Sequence, residues 1–178
     1  MSNDRPSLAH LGIFVTDIEL MERFYTQVFG LLVTDRGVGK VFCNQLVFMS
    51  GAPDQHHQLV LSSGKAPETP STVMQLSFKV PSLDALRERR LLALDHGCDG
   101  MMCLNHGNAW SVYFNDPEGN RIEIYLDTPF HTPQPCGEPL DLDLADEAIL
   151  AETRVLIEAL PGSMSREDFA DEMTKRLA

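Results

Sequence analysis

Polar and apolar positions alternate weakly over residues 8–15 and then change to a helical period. Over residues 18–29, Leu20, Met21, Phe24 and Val28 share one face. Asp17 stands where an N-cap belongs, and Gly30 where a left-handed residue closes a helix. Strand-like segments follow at 31–35, 40–49 and 56–62, separated by a turn at 36–39 and a loop at 50–55. The order is βαβββ. Residues 64–72, with Pro67 and Pro70, read as a linker. A strand at 73–80, a helix at 83–94 capped by Ser82, a strand at 101–105 and a hairpin with arms at 110–114 and 122–126 then repeat that order.

The two halves superpose at a constant offset, that from His10 to Gln75 and from Gln58 to Glu123. The pattern predicts an α+β fold: two paired βαβββ modules, residues 7–63 and 73–127, forming one domain with a cupped mixed sheet. A pseudo-twofold axis would bring the first and last strand of each module to one cleft, with His10, Gln75, Gln58 and Glu123 facing it. Residues 128–178 form a helical C-terminal extension. Pro129, Pro133, Pro135 and Pro139 make an extended arm. A helix over 144–160, broken by Pro161-Gly162, precedes a second helix from Ser165 whose Phe169, Met173 and Leu177 face inward. This tail is expected to pack against the core or a second subunit and to carry no chemistry.

Composition narrows the partners. The 178 residues are 43% hydrophobic and 22% charged, as expected of a globular domain. A net charge of −12 argues against nucleic acid and anionic membrane surfaces. The four cysteines form no C-x-x-C pair, which fits reduced thiols and a cytoplasmic setting. No apolar run approaches the ~18 residues of a membrane span, and the short polar N-terminus predicts no signal peptide. A small-molecule partner and a homodimer are the expectation.

The hairpin carries the chemistry. Its turn, Asp116-Pro117-Glu118-Gly119-Asn120, is dense in turn formers. Alternation puts Arg121, Glu123 and Tyr125 on one face and Ile122 and Ile124 on the other. A carboxylate between two core isoleucines requires a partner, because an unpaired buried charge is costly. His106, Tyr113, Asp116-Pro117-x-Gly119 and Glu123 together resemble the signature of the extradiol ring-cleaving dioxygenases of the vicinal oxygen chelate superfamily, which also holds glyoxalases and bleomycin resistance proteins. Leu104 departs from the strict pattern.

The resemblance implies a divalent metal, Fe(II) or Mn(II), held by His10, Gln75 and Glu123 with Gln58 as fourth neighbour. It implies His57 as the acid–base residue, and His106 and Tyr113 as donors to a substrate hydroxyl or oxyanion. Asn108, Trp110 and Tyr125 would line the substrate pocket. Gln75 stands where the dioxygenases carry His, and non-haem iron sites use two His and one carboxylate. Three functions stay open: metal-dependent ring cleavage of a catechol-type aromatic, small-molecule binding with little or no metal, and a glyoxalase- or epimerase-like lyase or isomerase with Glu123 as base. The alternative to a metal is a metal-free cleft in which His10 and Glu123 hydrogen-bond. Asn108 and Gly107 make the His106 loop either a lid or a turn, and Trp110 fits the core equally. His96 and His131 read as surface residues.

Overall fold

The computed structural model describes residues 5–177. The first module runs β1 (Leu11–Val15), α1 (Ile18–Phe29), β2 (Leu32–Val38), β3 (Gln45–Ser50) and β4 (Leu59–Ser63). The second runs β5 (Leu76–Lys79), α2 (Leu83–Asp95), β6 (Met102–Asn105), β7 (Ala109–Asn115) and β8 (Arg121–Asp127). The extension holds β9 (Phe130–His131), β10 (Glu138–Pro139), α3 (Asp146–Ala159), β11 (Met164–Ser165) and α4 (Arg166–Leu177). The fold is α+β, with βαβββ in both halves.

Two compact units divide the chain. One holds Arg5–Met74 together with Asn115–Arg121; the other holds Gln75–Phe114 and the chain from Ile122 onward. In the first unit the sheet order is β1-β4-β3-β2, with β1 parallel to β4. α1 closes over it because Met21, Phe24, Tyr25 and Val28 form an apolar stripe, all buried. The side chain of Asp17 accepts from Leu20 N at 2.9 Å, and Gly30 ends the helix at φ 69°. Each such core side chain contributes roughly 1.5–3 kcal/mol of burial.

In the second unit the order is β10-β6-β7-β8-β5, with β5 parallel to β8. The C-terminal extension belongs to this unit. The buried Thr153 hydroxyl of α3 accepts from Asn105 Nδ2 and Trp110 Nε1, each at 2.9 Å. Arg87 of α2 donates to the carbonyls of Leu142 and Leu144, each at 2.8 Å. The tail is thus tied to β6, β7 and α2 by polar contacts, and its Leu142 and Ile149 are buried.

Three expectations change. The turn at 36–39 lies later: β2 continues to Val38 because cross-strand pairing with β3 overrides the signal of Gly37 and Gly39, and the chain reverses where Gly39 N donates to Asn44 O. His131 is not a free surface residue; its ring stacks flat on Phe169 at 3.7 Å. The constant offset fails in the last strands. Leu11 pairs with Leu59 but Leu76 pairs with Ile122, so the second module is two residues shorter between its outer strands. Register therefore matches Glu123 with Val60, and Gln58 with Arg121. A slip of two preserves the face, which is why the pattern alone hid it.

Candidate functional site

Alternation along β7 and β8 builds the site of the second unit. Ser111 and Tyr113 project from β7 to the side on which Glu123 projects from β8, while Trp110, Val112 and Ile122 go to the core on the other face. Glu123 is 9% exposed, and four donors of its own unit surround it. Oε1 accepts from Ser111 Oγ at 2.9 Å and Tyr113 OH at 2.5 Å. Oε2 accepts from Gln75 Nε2 at 2.8 Å and Ser77 Oγ at 2.6 Å. Gln75 Nε2 also donates to Ser77 Oγ at 2.9 Å. All four acceptor positions of the carboxylate are filled. The partner that Glu123 requires is a shell of neutral donors.

Tyr113 links this carboxylate to His106. Its OH donates to Glu123 and lies 2.9 Å from His106 Nε2. On the far side of the imidazole, Nδ1 faces the Cys136 carbonyl at 2.5 Å. The result is one continuous line of polar atoms, Cys136 O, His106, Tyr113, Glu123. Protons shift along such a line by exchanging which oxygen or nitrogen donates. With Tyr113 donating to Glu123, the ring needs hydrogen on both nitrogens to satisfy both of its contacts; with hydrogen on Nδ1 alone, Nε2 is a proton acceptor.

The His106 loop is a tied turn. His106 N donates to Ala109 O at 2.8 Å, Gly107 N to Asn105 Oδ1 at 2.9 Å, and Thr128 Oγ1 to Gly107 O at 2.6 Å. Gly107 has φ +74°, and a Cβ there would sit 3.0 Å from Thr132 Cβ. Glycine is required on both counts. Asn108 Oδ1 accepts from Gln134 Nε2 at 3.2 Å. Trp110 points at α3, away from Glu123. Tyr125 is half-buried, on the Glu123 face of β8. The arm contacts at Gln134 and Cys136 escape sequence reasoning, since one is a backbone carbonyl and the segment reads only as proline-rich.

The first unit holds His10, His57 and Gln58. His10 is exposed, with its ring 4.3 Å from that of His57. His56 Nδ1 and His57 Nδ1 lie 2.9 Å apart, and Phe48 stands beside both rings. Loss of solvation, then the neighbouring His10 and His56, lower the His57 pKa below the usual imidazole value. Gln58 turns its Oε1 back to accept from Gly51 N at 2.9 Å. The acidic turn is structural here. Asp116 Oδ1 accepts from the backbone N of Glu118 and Asn120, and Oδ2 from Tyr25 OH and Asn120 Nδ2. Burial raises the Asp116 pKa against the pull of these hydrogen bonds, and burial beside Asp116 raises that of Tyr25 well above the phenol value. Glu118 pairs with Lys65 at 3.2 Å and accepts from Thr16 N and Asp17 N.

The donor set around Glu123 does not fit an iron triad. The second unit offers one carboxylate and one amide with no imidazole on the carboxylate, and Gln75 presents its NH2 rather than its oxygen to Glu123. Among the described residues no group of three or more His, Cys, Asp or Glu is placed to hold a metal ion. No helix among them is long and apolar enough to cross a membrane.

Comparison with known proteins identifies the fold and the family. Biphenyl-2,3-diol 1,2-dioxygenase 3 of Rhodococcus globerulus is 30% identical over 135 residues, covering 72% of this chain and 67% of that protein. The crystal structure of a glyoxylase/bleomycin resistance protein/dioxygenase domain from Frankia sp. EAN1pec aligns with TM-score 0.59 at 20% identity, over 70% of this chain and 100% of that one. The fosfomycin resistance protein FosX of Listeria monocytogenes, complexed with Mn(II) and sulfate, aligns with TM-score 0.53 at 17% identity, over 68% of this chain and 93% of that one. The family model matches residues 7–124, which run from before β1 into β8 and include every side chain of the Glu123 shell. The chain belongs to the Glyoxalase/Bleomycin resistance protein/Dioxygenase superfamily.

Proposed function

We propose that the Glu123–Tyr113–His106 line is an acid–base site for a catechol-type aromatic diol. One observation carries the reading: a buried carboxylate, a phenol and an imidazole stand in unbroken hydrogen-bond sequence, 2.5 and 2.9 Å apart. A phenol whose proton is drawn to a carboxylate and whose oxygen faces an imidazole can take up or return the proton of a bound hydroxyl. His106, with both ring nitrogens engaged, positions Tyr113, whose oxygen is read as the atom that meets the ligand. Groups so positioned contribute about 10²–10⁴-fold to proton transfer. A homodimer is part of the reading, supported by Phe14 and Phe42 of the first unit, 62% and 85% exposed. Light scattering on the purified protein tests that part.

A second reading, oxidative ring cleavage, is favoured by the 30% identity to a biphenyl-2,3-diol 1,2-dioxygenase. It requires Fe(II) or Mn(II), which the Glu123 shell does not fit as it stands, and His57 would then serve as its acid–base residue. The isomerase alternative uses Glu123 as base and needs no oxygen.

One experiment separates these readings. Protein purified without chelator is assayed for iron and manganese and titrated with 4-nitrocatechol under air and under argon. The first reading expects the visible spectrum to report binding in both atmospheres, with binding weakened at least ten-fold in Tyr113→Phe. Near-stoichiometric metal with a ring-opened product only under air establishes the second. No spectral change at millimolar ligand removes the diol reading.

A further inference from the structure

We infer that the C-terminal arm, which lies beyond the residues matched by the family model, sets the tautomer of His106 and so decides which way its proton line runs. The inference rests on the acid–base reading above and adds residues to it. A carbonyl oxygen carries no hydrogen, so the 2.5 Å contact between His106 Nδ1 and Cys136 O requires the hydrogen on Nδ1. In the neutral ring this leaves Nε2 as the lone-pair nitrogen, and Nε2 is the atom facing Tyr113 at 2.9 Å. The opposite tautomer would turn a hydrogen toward Tyr113, and the ring would then be unable to accept a proton from it.

Gln134 holds the carbonyl in place. Its Nε2 donates to His106 O at 2.9 Å and Asn108 Oδ1 at 3.2 Å, while its Oε1 accepts from Cys136 N at 3.0 Å. One amide thus clamps the arm at residue 136 to the loop at residues 106 and 108. Gly137 lies beside the ring: a Cβ there would make ordinary van der Waals contact, 3.7 Å from the imidazole. Gln134 and the Cys136 carbonyl act through His106 and are positioning groups.

The test reads the imidazole directly. Long-range ¹H–¹⁵N correlation spectra of the full chain, on the alkaline plateau of the His106 titration, distinguish the two tautomers without any ligand. Wild type is expected to show His106 with hydrogen on Nδ1. Gln134→Ala is expected to convert it to a mixture, with affinity for 4-nitrocatechol about ten-fold weaker and other histidine signals unmoved. A wild-type ring with hydrogen on Nε2 overturns the inference, as does a Gln134→Ala spectrum identical to wild type. Wild type with the stated tautomer but no 4-nitrocatechol binding removes the diol reading and leaves the arm's role standing.

Discussion

The carboxylate cluster of the second unit and the histidine cluster of the first show how differently duplicated elements hold polar groups. Glu123 is buried and receives four hydrogen bonds from Gln75, Ser77, Ser111 and Tyr113. His10 is exposed and His57 only half-buried; ring packing on each other and on Phe48 orders them instead. Both clusters gather where the first and last strands of a βαβββ module run side by side, the second with β7 added, yet one is a satisfied network and the other a loose stack. The difference teaches that strand position brings groups together, while burial decides whether they are locked. A buried acceptor must be saturated, and saturation fixes every donor around it. Exposed imidazoles carry no such requirement.

The contrast is sharpest at Glu123. Glu123→Ala removes the shared acceptor of four donors. Unsatisfied buried donors cost about 1–3 kcal/mol each, partly relieved by water, so a loss of about 3 kcal/mol and roughly 6–12 °C in melting temperature is expected. His10→Ala, its counterpart in the loose cluster, should shift the melting temperature by no more than about 2 °C. Differential scanning calorimetry of both variants would break the comparison if the two effects were equal.

Gly107→Ala tests the tied turn beneath His106. It forces a Cβ into positive φ and against Thr132, a cost of about 1–3 kcal/mol, measurable in urea. An unchanged denaturation midpoint would mean the loop relaxes freely.

Asp127 gives a pH-dependent effect of the second unit. Burial pushes its pKa up, but hydrogen bonds from Arg166 and Lys79 outweigh this and leave it below the usual carboxylate value. A depressed pKa adds stability above the unfolded value of ~3.9 that disappears as pH falls through the folded value. Wild type should therefore melt higher than Asp127→Asn at pH 6, and the gap should narrow as pH falls below the usual carboxylate value.

The smallest effect is on His57. Its titration midpoint by NMR should lie below the usual imidazole value, and His10→Ala should move it upward by removing a like charge. A midpoint unmoved by that change would leave loss of solvation and His56 as the causes.

Much of this was legible along the chain. The helical stripe of Met21, Phe24 and Val28, the caps Asp17, Gly30 and Ser82, and the Asp116–Asn120 turn are local signals, and local signals determine local structure. Period-two alternation put Glu123 with Tyr125 on one face of β8, whereas Tyr113 joined Glu123 only through the family signature. The Glu123 shell did not follow: Ser77 and Ser111 are ordinary residues until strand pairing aims them at one carboxylate. Nor did the match of Val60 with Glu123, since a two-residue slip leaves the alternating pattern unchanged.

By itself, then, the sequence determined the element order, the duplication, the buried faces and the presence of a carboxylate in need of partners. These depend on side-chain period and turn chemistry, which act over a few residues. Tertiary structure alone decided what surrounds Glu123 and that the arm reaches His106. Contacts such as His106 with Cys136, or Trp110 with Thr153, join residues tens of positions apart. Long-range register and a backbone carbonyl's direction create them, and neither leaves a mark in residue type.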